Sequence, residues 1–339
     1  MSGLEKMIEL VDSLPQQLLE GHSRGQAIKF SLKGKSPPIV FGMGGSGIAG
    51  ELLSTLSHEI GSTPVTCIRS FSFPTWAGKG IPAIFVSYSG NTAETLRVYK
   101  EAGRRGLDRV VLTSGGTLLS MAEKDGVPSV VIPSGYPPRA SLGYLFGSLF
   151  GILSPLFPGH EHDLPVAAEE LRGLAGEMKG EWGWPARVAS AWGDRELWVY
   201  VPERLAAVGR RWKTQSEENA KRLAHFDTIP ELMHNALVAW DCLPPGIAGK
   251  RLVVMLSGPR EGKEILTRME YLAGVLEGMG CPLLHIRLGS TRPLTEMLEG
   301  VWIGDYASLR EAQATGVDPL PVAAIDKMKA QLPSPDDES

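Results

Sequence analysis

The sequence is poor in cysteine, with three in 339 residues: Cys67, Cys242 and Cys281. They are far apart and odd in number. This excludes a disulfide framework and a metal-spaced pair, and it points to a reduced, cytoplasmic setting. Net charge is also scant, at −4. No basic surface argues for nucleic acid and no polybasic run argues for a membrane. Long hydrophobic runs are missing. The greasiest stretch, "LGYLFGSLFGILSPLF" (142–157), is shorter than the roughly 20 residues of a membrane span and is interrupted by Pro155, so it predicts a buried helix. The N-terminus carries acids every few residues, lacks a signal-peptide core and reads as an amphipathic helix. Low complexity is confined to the polar tail ending "PSPDDES", and residues 332–339 are expected to be disordered.

What is present is apolar residues at 43 %, enough for real cores, in a length that suits two domains. Apolar strand-like runs alternate with helical patterns: "PPIVFGM" (37–43), "PVTCIRS" (64–70), "IPAIFVSYS" (81–89), "RVVLTS" (109–114) and "VPSVVIP" (127–133), then a long helix from about Arg139. A turn-rich break, "PLFPGHEHDLP", and two helical segments follow. Alternation resumes with "ELWVYVPE" (196–203), a polar helix through Lys221, "RLVVMLSG" (251–258) and "PLLHIRLG" (282–289). Strands apolar throughout and separated by helices imply parallel sheets covered on both faces. The expectation is an α/β chain of two similar doubly wound domains, 1–155 and 195–331, with a helical linker over 156–194. The second half lacks the glycine-rich loop of the first.

In open parallel sheets, ligands bind beyond the carboxyl ends of the strands. In the first half these ends are rich in small polar residues: "GMGGSGIAGE" from Gly42, "SYSGNTAET" from Ser87 and "TSGGT" from Thr113. Unpaired N–H groups at helix N-termini favour an anion, glycines let backbone approach it, and hydroxyls add donors. Singly, Ser46, Thr92 and Thr117 read as helix caps or near-caps. Together the loops predict a phosphate site. "GMGGSG" also fits the dinucleotide fingerprint, but that pattern wants an acid about 20 residues on. Strand two ends in Arg69 and Ser70 instead, which leaves an NADP reading open. The P-loop match fails, because no Gly-Lys-Ser/Thr follows.

Two further stretches carry charge near apolar surroundings. Arg139 starts an otherwise apolar helix, where the dipole disfavours it; it reads either as an exposed cap residue or as an arginine facing the ligand. In "RRWKTQSEENAKRLAHFDTIPELMHNALVAWD" (210–241), Glu217 and Glu218 lie about 100° apart on a helix, so only one can face a given site. On residue type alone both glutamates read as solvated, and His234 reads as a surface or core histidine. His160 and His162 read as solvated linker residues.

The pair "GMGGSGIAG" and "VSYSGNTAETL" resembles the sugar isomerase (SIS) domain, whose loops hold the phosphate of a phosphosugar. By resemblance the phosphate contacts are Gly44, Gly45, Ser46, Ser87, Ser89 and Thr92. "PPRASLGYL", "TQSEENAK", "IPELMHN", "WIGDYAS" and "GVDPLPVAAIDKMK" extend the likeness over nearly the whole chain, to the bifunctional phosphoglucose/phosphomannose isomerase family of archaea and bacteria. That resemblance implies an aldose–ketose isomerase without cofactor or metal, acting on glucose 6-phosphate, mannose 6-phosphate and fructose 6-phosphate through a cis-enediol(ate). It implies Glu218 as the base, Arg139 as the enediolate partner, and His234 with Lys327 (or Lys329) in ring opening. It also implies a homodimer whose histidine reaches into the neighbouring subunit's site.

These residue types suit that chemistry. One carboxylate can carry a proton between two adjacent carbons, a fixed guanidinium can stabilise the oxyanion, and histidine with lysine can exchange protons at the ring oxygen. The sequence departs from the family in three places. Leu320 replaces a threonine associated with tolerance of both C2 epimers, which puts mannose 6-phosphate in doubt. Ala236 replaces a glutamate, and Leu309-Arg310 replaces Val-Tyr. Two other readings compete: a non-catalytic phosphosugar-binding regulator, although the acidic N-terminus shows no helix-turn-helix, and the NADP-binding protein.

Overall fold

The computed structural model describes residues 2–30, 32 and 36–331. The tail expected to be disordered, 332–339, lies outside the described residues. The chain begins with α1 (Gly3–Asp12) and α2 (Leu14–Gln26), followed by β1 (Ile39–Gly42), α3 (Gly44–Ile60), β2 (Thr66–Ile68), β3 (Pro82–Ser87), α4 (Ala93–Arg104), β4 (Asp108–Thr113), α5 (Gly116–Lys124) and β5 (Ser129–Val131). A 3-10 turn at Pro138–Ala140 leads into α6 (Leu142–Leu153). Next come α7 (Asp163–Lys179), α8 (Trp184–Trp192), β6 (Glu196–Pro202), α9 (Ala206–Asn219), β7 (Ala224–Ile229), α10 (Ala236–Asp241), β8 (Arg251–Ser257), α11 (Lys263–Gly278), β9 (Leu283–Arg287), α12 (Pro293–Thr315) and α13 (Ala323–Gln331). The single N-terminal helix expected from the sequence is two, broken at Ser13 with Pro15 in the first turn of α2. Among the described residues no helix is long and apolar enough to cross a membrane.

Two compact units result. Among the described residues, one contains 13–169 and 322–331, and the other 2–12 and 170–321. The first is built on a five-stranded sheet of order β2-β1-β3-β4-β5, all parallel. Every residue of β1 and β3 is buried, as helices on both faces require. Register pairs Phe41 with Phe85, whose rings stack at 5.1 Å, and Tyr99 from α4 meets Phe85 edge-on.

The expected buried helix over 142–157 is α6, all twelve residues of which are buried. Its partner is α2, and the contact is backbone on backbone. Gly143, Gly147 and Gly151 recur every fourth residue on α6, and Gly21 and Gly25 do so on α2. A Cβ on Gly21 would lie 2.6 Å from the Tyr144 carbonyl oxygen, and one on Gly147 would collide with that of Leu18. Small residues in such rows allow two helix axes to approach closely. That is why so greasy a helix needs no membrane.

The second unit has a four-stranded parallel sheet, β7-β6-β8-β9. The sequence reading passes from the polar helix directly to the turn at Pro230 and misses β7. An edge strand has one neighbour, so "AHFDTI" keeps His225 exposed and Asp227 half-buried and shows no apolar run. His225 stacks on Trp198 at 4.3 Å. Helix α9 is pinned to α12 by buried polar groups at four-residue intervals. Arg211 donates to Asp305 at 2.9 and 2.6 Å, Gln215 to Asp305 at 3.0 Å, and Asn219 to Ser308 at 2.9 Å. Buried polar groups satisfied this fully hold one register.

The α2–α6 contact makes a test. Gly147→Ala improves intrinsic helix propensity by about 1 kcal/mol but forces a Cβ into the Leu18 backbone, an overpacking cost of about 1–3 kcal/mol or more. The expected outcome is a lower midpoint in chemical denaturation, where a surface glycine-to-alanine change in a helix would raise it.

Candidate active site

The order β2-β1-β3 creates a switch point between β1 and β3, where successive connections leave to opposite sides and a crevice opens beyond the strand ends. The two loops singled out in the sequence, Gly42–Ser46 and Ser87–Thr92, emerge there. They are joined by the backbone N–H of Tyr88, which donates to Ser46 Oγ at 3.1 Å. The third loop packs on the second: Leu118 N–H donates to the Gly90 carbonyl at 2.9 Å, and Thr117 N–H to Asn91 Oδ1 at 3.0 Å. Gly90 adopts φ +70°, and any side chain there would strike the Gly115 carbonyl. Only glycine fits.

The hydroxyls divide into two kinds. Ser46 and Ser87 are buried, at 5 % and 1 % exposure. Ser46 is not a cap: Met43 holds the N-cap position of α3, and Ser46 lies inside the first turn. Ser87 Oγ accepts from Gly90 N–H at 3.1 Å and shares a hydrogen bond with Thr92 Oγ1 at 2.9 Å. Thr92 holds the N-cap position of α4, yet its hydroxyl makes no capping bond. Ser89 is exposed and accepts from Asn91 N–H at 3.2 Å, Thr92 is half-buried, Gly44 is exposed and Gly45 half-buried. The accessible rim is therefore Gly44, Ser89 and Thr92 with the first N–H groups of α3 and α4, and Ser46 and Ser87 brace it from beneath.

Arg139 is 3 % exposed, which overturns the exposed-cap alternative. It belongs to the 3-10 turn before α6, and that turn touches the first loop. A Cβ on Gly45 would lie 2.9 Å from the Pro138 carbonyl oxygen and 3.3 Å from Arg139 Cα. The sequence leaves no clue to this approach across more than ninety residues, except that Gly45 has no side chain. Arg69, on which the NADP reading relies, pairs with Glu51 of α3 at 2.6 Å.

In the other unit Glu218 sits in the last turn of α9 and is half-buried, while Glu217 pairs with Lys213 at 2.6 Å. Just beyond, Lys221 is the one non-glycine residue with positive φ among the described residues, at 57°. Its ammonium donates to the carbonyls of Glu218 at 2.5 Å, Pro319 at 3.3 Å and Pro321 at 2.7 Å. That ammonium holds the segment carrying Leu320 against the end of α9. Leu320 is 37 % exposed, and its N–H donates to Asp318 Oδ1 at 2.9 Å. Sequence reasoning gave Lys221 no role, because its three acceptors are backbone groups that leave no trace in residue type.

His234 is exposed and lies elsewhere, in the 3-10 turn Glu231–His234 after β7. Asn235 caps α10 through Ala236 N–H at 2.5 Å and donates to Glu231 at 3.1 Å. Helix α9 runs back against β6, so Glu218 is at the amino edge of the sheet and His234 at the carboxyl edge. The six residues of β7 between them span roughly 17–20 Å. Arg310 donates to the Lys179 backbone carbonyl. Lys327 and Lys329 are exposed on α13, a helix with no fully buried residue. Among the described residues no three His, Cys, Asp or Glu side chains are grouped to hold a metal, and the three cysteines are free.

Known proteins agree with this architecture. Residues 186–332 match the bacterial phospho-glucose isomerase C-terminal SIS domain. The chain is 32 % identical over 336 residues to the bifunctional phosphoglucose/phosphomannose isomerase of Caldicellulosiruptor bescii, covering 96 % of this chain and 98 % of the relative. It is 31 % identical over 208 residues to a D-glucosamine-6-phosphate 4-epimerase of Sulfolobus acidocaldarius, covering 58 % of this chain and 61 % of that one. In fold it resembles the tagatose-6-phosphate ketose/aldose isomerase of Escherichia coli, with a TM-score of 0.68 at 15 % identity over 93 % of this chain and 95 % of the other. With two parallel α/β units of the SIS type and this likeness along its whole length, the chain belongs to the bifunctional phosphoglucose/phosphomannose isomerase family.

Proposed function

We propose that this protein is an aldose–ketose isomerase that interconverts glucose 6-phosphate, and with lower efficiency mannose 6-phosphate, with fructose 6-phosphate. The observation that carries the reading is the β1/β3 crevice. It offers Gly44, Ser89, Thr92 and two helix N-termini to an anion, with buried Arg139 in the turn against Gly45. Such a crevice takes a phosphate handle without needing positive side chains at its rim. Family membership supports the reaction.

In the mechanism, Glu218 takes the proton from C2 of the open-chain aldose and returns it to C1 of the cis-enediolate. Arg139 stabilises the enediolate oxygen, an electrostatic role that burial strengthens. His234 and Lys327 exchange protons with the ring oxygen and O1 during ring opening. Because Glu218 and His234 lie at opposite edges of one sheet, a site using both takes His234 from a second copy of the chain. Helix α13, which exposes Ile325 and Met328 and has no fully buried residue, is consistent with packing against such a copy. The homodimer and its shared site are part of this proposal, as is a cytoplasmic setting, which the free cysteines favour. A C4 epimerase would return only aldose products, so the product mixture separates the two activities named among the relatives.

Purified protein in the presence of a chelator is expected to form glucose 6-phosphate from fructose 6-phosphate, and Glu218→Gln to lower kcat by about a thousandfold with binding retained. Binding without turnover in the wild type would leave only the regulator reading. Glu218→Gln and His234→Ala chains, each inactive alone, are expected to regain up to about a quarter of wild-type activity when unfolded and refolded together, since half the dimers are mixed and one site in each is intact. No recovery, with mixed dimers demonstrated, would refute the shared site. Leu320→Thr, on the segment held by Lys221, is expected to raise the ratio of kcat/KM for mannose 6-phosphate over glucose 6-phosphate by about tenfold, the scale of one hydrogen bond.

A further inference from the structure

The second unit has a switch point of its own. With strand order β7-β6-β8-β9, the crevice lies between β6 and β8, in the place that the phosphate loops occupy between β1 and β3. The residues just after these strands are not glycine-rich cradles with hydroxyls. Arg204 follows β6 by two residues, and Gly258, Arg260 and Glu261 follow β8. Between them sits the carboxylate of Glu296, from the first turn of α12, with no exposure at all.

Glu296 is held as a ligand is held. Arg204 donates to both of its oxygens at 2.7 Å, a bidentate pair, and Arg260 Nε donates to Oε2 at 2.7 Å. Such fork-like geometry is the form in which arginine recognises carboxylate or phosphate groups. Arg204 also pairs with Glu261, so two guanidinium and two carboxylate charges balance. Gly258 leaves the space open: a Cβ there would overlap Glu296 Oε1. Its φ lies outside the left-handed region, so the backbone itself would accept alanine. Glycine here serves the approach of an anion, and that anion is covalently part of the chain.

We propose that Glu296 is a tethered ligand that fills the anion-binding crevice of the second unit, so that the chain takes an external anion in only one of its two crevices. A carboxylate clamped by two arginines closes the second unit's crevice without leaving buried positive charge unpaired. The proposal does not depend on the isomerase reading, since it concerns which anion occupies this crevice and not what is catalysed in the other.

The test uses the full chain and acetate as a free carboxylate. Glu296→Ala is expected to lower Tm by on the order of 5 °C or more. Acetate is then expected to restore several degrees relative to chloride at equal ionic strength, while leaving the wild type unmoved. Gly258→Ala is expected to destabilise the wild type and to cost much less in the Glu296→Ala background, where its Cβ has room. Equal acetate effects on both proteins, or equal costs of Gly258→Ala in both backgrounds, would overturn the proposal. If Glu296→Ala fails to fold, wild-type crystals soaked in sulfate decide: no sulfate between Arg204 and Arg260 is expected, and sulfate there with Glu296 displaced refutes it.

Discussion

Each helix that joins two neighbouring parallel strands returns against the direction of the strand before it, and that one constraint distributes the chemistry. Strand carboxyl ends and helix amino ends share an edge, where unpaired N–H groups accumulate and anions are favoured. Helix carboxyl ends gather at the opposite edge. The glycine- and hydroxyl-rich loops after β1 and β3, Arg204, Arg260 and Glu296 are therefore of the first kind of edge, and Glu218, Lys221 and the Leu320 segment of the second. His234 follows a strand and falls with the first, which is why one sheet separates it from Glu218 by the length of β7.

The two crevices illustrate how one topology serves opposite ends. In the five-stranded unit, backbone donors and hydroxyls ring an opening, and the buried charge is Arg139. In the four-stranded unit, two arginines close on an internal carboxylate. Both rely on a glycine at the point of closest approach, Gly45 in one and Gly258 in the other. The difference is that a carboxylate from α12 occupies the second. Rigidity is supplied separately. The α2–α6 glycine contact braces one unit, and the α9–α12 ladder of Arg211, Gln215 and Asn219 sets the rotation of the helix that carries Glu218.

Lys221 shows how a departure in backbone conformation can organise a site. A lysine at φ 57° costs of order 1 kcal/mol or more. Its ammonium returns three hydrogen bonds to carbonyls, one on Glu218 and two flanking Leu320. The end of α9 at Glu218 and the segment carrying Leu320 are thus tied to a single side chain. That tie gives Leu320 a fixed place beside the end of α9.

The sequence alone determined the α/β class, the parallel sheets, the buried helix over α6 and the glycine- and hydroxyl-rich loops after β1 and β3. All of these are local: apolar runs, helical periodicity and the glycine and hydroxyl chemistry of a single turn are written in neighbouring residues. Tertiary structure decided what local pattern cannot carry. It buried Ser46 and Ser87 and left Ser89 and Thr92 accessible, brought the Arg139 turn against Gly45, and added β7 as an edge strand with too little apolar character to announce itself. It also set Glu218 and His234 at opposite edges and placed Glu296 between two arginines. Each of these depends on which backbone approaches which across tens to hundreds of residues, and close approach is governed by packing and hydrogen-bond satisfaction, neither of which a linear pattern encodes.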